Sequence, residues 1–248
     1  MRNAGKRIGF WLLLPLCAVQ GLWLKRTAIR LPEASGARSG KTGQGKELHV
    51  LALGDSIIAG VGTGSVDRSL PVQFARALAS LKSREVHWHI SGKNGADIAY
   101  LRHDINLIPH ERQADVILIS IGVNDVTGLS STAYWQDQVK RLVDDLRQRW
   151  PNALVIFTGL PPMARFPLPP QPLRFMLGQR AATLDAIAAN IIARQGNMLH
   201  IPTDISPLEH DFCEDGFHPS AKSCADWALV LAQRSEADNL DGSASGTR

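Results

Sequence analysis

The sequence predicts a three-layer α/β/α sandwich built around a parallel sheet of about five strands. Three observations support this. Short apolar runs alternate with amphipathic segments along the chain, and strand followed by helix, repeated, is the pattern of parallel crossovers. Two of the runs, 115–121 (DVILISI) and 153–158 (ALVIFT), are continuous and rich in β-branched residues, as strands covered on both faces are. With 248 residues, 44% of them hydrophobic and 20% charged, the chain can bury one sizeable core and is too short for several ordinary domains.

The elements follow in order. Residues 1–24 open with Arg2, Lys6 and Arg7 and continue as an uncharged apolar run from 8 to 24, the layout of a signal peptide or a membrane anchor. No small-residue cleavage pattern precedes Lys25 and Arg26, and the bulky Leu16 before Cys17 argues against lipid attachment there. An uncleaved anchor is therefore the preferred reading, with a cleaved signal or a surface-lying segment as alternatives. Residues 25–47 include a Gly/Ser-rich, aperiodic stretch and read as a flexible linker. The folded body is expected over 48–234, with strands at 49–53, 86–90, 115–121, 153–158 and 198–201. Helices are expected at 71–81, 98–107, 133–149, 175–194 and 219–233, the first and last of them opened by a proline. Residues 235–248 are polar and read as a disordered tail. Such a doubly wound, flavodoxin-like sheet binds ligands outside the carboxyl ends of its strands, near the point where strand order reverses.

Charge narrows the function classes. Residues 1–47 carry nine Lys/Arg against two Asp/Glu, and the remainder eighteen against twenty-one. The basic balance belongs to the amino-terminal segment, and the mildly acidic body has no electrostatic footprint for nucleic acid. Cys17, Cys213 and Cys224 lack the paired spacing of zinc or redox sites, and no HExxH motif occurs; neither a metal nor a cofactor is implied. Cys213 and Cys224 read as buried free thiols, a bridge being the alternative in an oxidising compartment.

Four short motifs fall where ligands are expected. After the first strand, Gly54-Asp55-Ser56 can present a hydroxyl and a backbone N–H to the same cleft, although Gly, Asp and Ser are also ordinary turn formers. After the second strand, Gly92-Lys93-Asn94-Gly95-Ala96-Asp97 permits a close backbone approach with a freed N–H, or a plain turn. After the third, Gly122-Val123-Asn124-Asp125 places an amide that can donate to an oxyanion or cap a helix. Before the last helix, Asp215 and His218 are spaced for a carboxylate to accept from Nδ1–H, leaving Nε2 free as a base. A lone pair of this kind is more often structural, and it is the order and placement of all four that carry weight.

This pattern resembles the SGNH branch of the GDSL hydrolases, over roughly residues 48–233. The resemblance implies Ser56 as nucleophile, His218 as general base and acid, and Asp215 as the carboxylate that orients it. It also implies an oxyanion hole made by the N–H groups of Ser56 and Gly95 and the Asn124 amide, with Gly92 as the alternative to Gly95. Asp55 and Asp125 are then loop-bracing acceptors, because a further carboxylate beside the nucleophile opposes developing negative charge.

The proline-rich stretch 159–175 follows the fourth strand. Pro161, Pro162, Met163, Phe166 and Leu168 are read either as a semi-rigid wall for an acyl chain or as a long connection packed on the body. The implied activity is a serine esterase acting on lipid acyl or small acetyl esters through an acyl-enzyme. A thioesterase or acyltransferase using the same residues, or a non-catalytic acyl- or glycan-binding module, is the alternative. The implied partners are a small-molecule or lipid ester and, through residues 1–24, a membrane, with no nucleic acid and no obligate protein partner. The implied location is the cell envelope, anchored or exported, a cytoplasm-facing anchor being the other orientation.

Overall fold

The computed structural model describes the backbone of residues 2–109, 112–203 and 211–244, with side chains from 14 to 237 within those ranges. Six strands form one sheet: β1 (Ser39–Gly43), β2 (Glu47–Gly54), β3 (Glu85–Gly92), β4 (Val116–Ser120), β5 (Leu154–Thr158) and β6 (Met198–Ile201). Their order is β1-β3-β2-β4-β5-β6. All neighbours are parallel except β1, which runs antiparallel to β3. The chain starts the parallel sheet at β2, steps outward to β3, then returns past β2 to β4. Strand order therefore reverses beside β2, and the ends of β2, β3 and β4 frame the crevice.

The helices are α1 (Arg2–Thr27), α2 (Leu70–Lys82), α3 (Ile98–Leu107), the short α4 (Val123–Thr127), α5 (Thr132–Arg149), α6 (Leu173–Ile192) and α7 (Ala221–Ala244). Alternation along β2 assigns them to two layers. Leu51 and Leu53 face a core shared with α3, α5 and α6, while Val50 and Ala52 face another shared with α2 and α7. Both sets of side chains are essentially inaccessible to water, which is why β2 and β4 read as unbroken apolar runs. In the first core Trp135 is fully buried, and its indole N–H donates to the Leu184 carbonyl at 2.8 Å; a buried indole needs such a partner.

The fold class matches the sequence expectation, with three departures at the chain's ends. The linker expected over 25–47 is instead structured: Ala34 is buried, Ser35 bridges to Ser65, and 39–43 form β1. Ser-Gly-Lys-Thr-Gly has no apolar alternation, and β1 is held by backbone pairing to β3, whose edge it covers. The tail expected from 235 continues as α7 to Ala244, with Ser235 buried and Glu236 paired to Lys82 at 2.6 Å; residues 245–248 lie outside the described residues. The candidate anchor is helical, but the side chains of 1–13 lie outside the described set. The rest of α1 docks on α6, where Gln20 donates to the Gln171 carbonyl at 2.7 Å and accepts from the Leu173 N–H at 3.1 Å. Among the described residues no helix is long and apolar enough to cross a membrane.

Candidate active site

The end of β2 is set by Gly54, at φ 149°. A Cβ there would lie 1.9 Å from the Ser120 carbonyl oxygen, so only glycine lets β2 leave the sheet this close to β4. The Asp55 N–H continues the ladder to Ser120 at 3.0 Å. The Asp55 carboxylate then accepts from the Ile57 N–H at 3.1 Å, an Asx turn that folds the chain sharply at Ser56. The turn closes as Ala59 N–H donates to the Asp55 carbonyl and Val61 N–H to the Ser56 carbonyl, each at 2.9 Å.

The other two turns pack against this one. A Cβ on Gly92 would lie 2.5 Å from Ala59 N, which makes Gly92 a close-packing residue and separates its role from that of Gly95. Gly95 sits at φ 83° with no atom within 4 Å of a Cβ position, so its backbone borders open space. Among the described residues, the N–H groups of Ser56 and Gly95 have no hydrogen-bond partner. Asn124 lies in the first turn of the short α4 and donates through Nδ2 to the Ala96 carbonyl at 2.8 Å, leaving its second amide hydrogen uncommitted. Asp125 is buried and accepts from the Ile98 N–H and the Ser130 hydroxyl, both at 3.0 Å. Asn124 and Asp125 thus pin the loop that carries Gly95.

The fourth segment folds over the crevice. Cys213 N–H donates to the His218 carbonyl at 2.8 Å and Gly216, at φ 60°, allows the tight reversal between them. Asp215 Oδ1 accepts from the N–H groups of Phe217 (2.9 Å) and His218 (3.0 Å), and Oδ2 is 2.6 Å from His218 Nδ1. His218 Nε2 is 2.9 Å from Ser56 Oγ, although the two residues are 162 positions apart in the chain. The structure therefore brings Ser56, Asp215 and His218 into one relay, with Gly95 and Asn124 on neighbouring turns.

Burial acts upward on all three nearby carboxylates, but the outcome differs. For Asp215 it acts upward but is outweighed by the His218 ring and the two N–H donors, which hold this group below its usual range. Burial pushes Asp55 up to about 7, against the pull of the Ile57 N–H and of His218; its Oδ2 is buried without a partner among the described residues. Burial likewise pushes Asp125 up to about 6, against its bonds to Ile98 and Ser130. Asp55 and Asp125 brace loops, as the sequence suggests.

In the proline-rich stretch, Met163 and Phe166 depart from the cleft-wall expectation, whereas Leu168 lines a cavity of about 360 Å³ together with Asp215 and Gly216. Met163 and Phe166 are core residues, 0% and 3% exposed, and Pro161 is also buried, with Pro162 and Leu168 half-buried. Phe166 meets Phe217 edge-on at 5.2 Å, and Phe217 meets the His218 ring at 5.3 Å. Leu168 N–H donates to the Gly216 carbonyl at 3.1 Å. Through Phe166 and Leu168 the stretch buttresses the histidine turn. Phe217 was not singled out in the sequence, although its place within the Asp215–His218 motif is a signal that could have found it.

Comparison with known proteins bears on the family and the fold. The family model described as GDSL-like Lipase/Acylhydrolase matches residues 52–224. A GDSL-like esterase of Mycobacterium tuberculosis is 26% identical over 187 residues, covering 72% of this chain and 59% of that protein; the chain thus spans less than two thirds of the length of this curated relative. A lipase from a goat rumen metagenome superposes with TM-score 0.61 at 19% identity, covering 75% of this chain and 96% of that one. An extracellular lipase from Streptomyces rimosus does so with TM-score 0.58 at 18% identity, covering 76% and 99%. At these identities the solved structures establish a shared fold.

Proposed function

The chain belongs to the GDSL-like lipase/acylhydrolase family, and from that premise we propose that it is a serine esterase cleaving carboxylic esters through an acyl-enzyme. The observation that carries this reading is the Asp215–His218–Ser56 relay, with spacings of 2.6 and 2.9 Å. A serine hydroxyl is a weak nucleophile at its own pKa, so the base must take its proton during attack. His218 Nε2 receives that proton as Ser56 Oγ bonds to the ester carbonyl carbon. Asp215 holds the ring with Nε2 toward Ser56 and stabilises the imidazolium. Negative charge on the carbonyl oxygen is received by the N–H groups of Ser56 and Gly95 and by the second amide hydrogen of Asn124. The intermediate collapses by breaking the bond to the alkoxy oxygen, and His218 returns its proton to the departing alcohol. Water, deprotonated by His218, then attacks the acyl group on Ser56 and releases the acid.

The substrates proposed are lipid acyl or small acetyl esters, and the catalytic domain is taken to run from β1 through α7. Export to the cell envelope rests on the basic start and the uncharged run of 8–24; fractionation of cells producing the chain tests it. The decisive test of the chemistry is labelling by a fluorophosphonate probe. The parent chain is expected to be labelled and Ser56→Ala not; equal labelling of both would exclude Ser56 as the nucleophile.

A further inference from the structure

At the opposite end of the sheet from Ser56, the same tripeptide pattern occurs on two adjacent strands: Glu47-Leu48-His49 begins β2 and Glu85-Val86-His87 begins β3. The parallel register sets Glu47 beside Glu85 and His49 beside His87. Because side chains alternate along a strand, all four project from one face. Oxygens of Glu47 and Glu85 and a ring nitrogen of His87 lie within 4.8 Å of one another. His87 Nε2 is 2.8 Å from Glu85 Oε1 and 4.0 Å from Glu47 Oε1, and His49 Nε2 is 3.7 Å from Glu47 Oε2. The two imidazoles face each other at a centroid separation of 5.2 Å.

We propose that Glu47, His49, Glu85 and His87 form a binding site for a divalent transition-metal ion of the zinc class. Tetrahedral zinc with nitrogen and oxygen ligands at about 2.0–2.2 Å places its ligand atoms about 3.3–3.6 Å apart. The observed separations bracket that value, so the side chains need shift only slightly around an ion. Two imidazoles with two carboxylates select zinc-like ions over calcium or magnesium, which take oxygen ligands, and the two carboxylates match the ion's charge.

The surroundings are consistent with an occupant. His49 and His87 line a cavity of about 320 Å³ together with His89, Trp88 and Arg112, and His89 Nδ1 is buried there without a partner among the described residues. The opposing cation on the third strand is Lys41 of β1, 3.3 Å from Glu85 and 63% exposed, a long side chain that an ion can displace. From His49 to Gly54 the strand covers about 17 Å at about 3.3 Å per residue, so the site stands apart from Ser56. It joins the beginnings of two strands whose other ends carry the turns of Ser56 and Gly95.

The test is zinc titration of the untagged full chain by calorimetry, with magnesium and calcium as controls. The expected result is one zinc per chain, no binding of the controls, and at least a tenfold loss of affinity in His49→Gln and in His87→Gln. Glu47 is 65% exposed, so Glu47→Gln leaves the fold intact and should also weaken zinc at least tenfold. Lys41→Ala should tighten it by removing the competing ammonium. Zinc should raise the unfolding temperature of the parent and leave that of His87→Gln unchanged. Absence of zinc binding up to about 100 μM, a concentration at which a site of even modest affinity would fill, overturns the proposal. So does binding in Glu47→Gln and His87→Gln as strong as in the parent, which would place the ion elsewhere. Neither result depends on ester hydrolysis.

Discussion

Asn124 has two tasks that its single amide performs together. One hydrogen holds the Ala96 carbonyl at 2.8 Å, and the other is the oxyanion donor in the proposed reaction. Asn124→Ala should therefore give a folded protein whose turnover on a soluble ester falls by about 10²–10³ with little change in KM. Full activity would remove Asn124 from the chemistry. This residue was legible in the sequence, as were Ser56, Asp215 and His218, because each sits in a turn motif at a strand end or just ahead of a helix, where local chemistry and topology coincide. The preference for Gly95 over Gly92 came from the resemblance and not from the residues themselves. The distinction depends on which glycine is crowded by Ala59 and which borders open space, a matter of contacts between segments remote in sequence. Met163 and Phe166 were hidden for a related reason: an apolar side chain in a proline-rich connection can fill a core or line a cleft, and periodicity is silent on which.

At the level of elements, the strands with apolar patterning were visible and β1 was not. Burial on both faces wrote a continuous run into β4, whereas β1 contributes backbone pairing and almost no buried side chain. Its glycine even makes room for Trp88, whose ring would lie 2.5 Å from a Cβ on Gly40. The segment just before β1 also reaches the turns of the crevice. Glu33 accepts from the Asn94 N–H at 2.8 Å, and Arg38 donates to the Ala59 carbonyl at 3.0 Å. A chain starting after Gly43 leaves the β3 edge bare, and it should associate at concentrations where a chain starting at Ala28 stays monodisperse. Light scattering on the two truncations reads the difference; identical behaviour would mean that β1 does not protect the edge.

For the molecule as a whole, the buried carboxylate of Asp55 ties stability to pH. Burial lifts its pKa from the ordinary 3.8 to about 7, so between these limits the folded state holds a proton that the unfolded chain has released. Stability should fall as pH rises through that window, by roughly 4 kcal/mol at about 1.4 kcal/mol per unit, and then level off. Asp125, raised to about 6, adds the same trend over a narrower range. Asp215, held low, acts in the opposite sense and only in acid, where its protonation withdraws support from the fold. Urea midpoints between pH 4.5 and 8 should show the decline in the parent and a shallower one in Asp55→Asn; parallel curves would mean that Asp55 is ionised throughout. The separation of Ser56 from His218 by 162 positions has a consequence during synthesis. A nascent chain displays its hydroxyl early but stays inert on the ribosome until nearly all of the body has emerged, so fragments released by premature termination carry no stray hydrolytic activity.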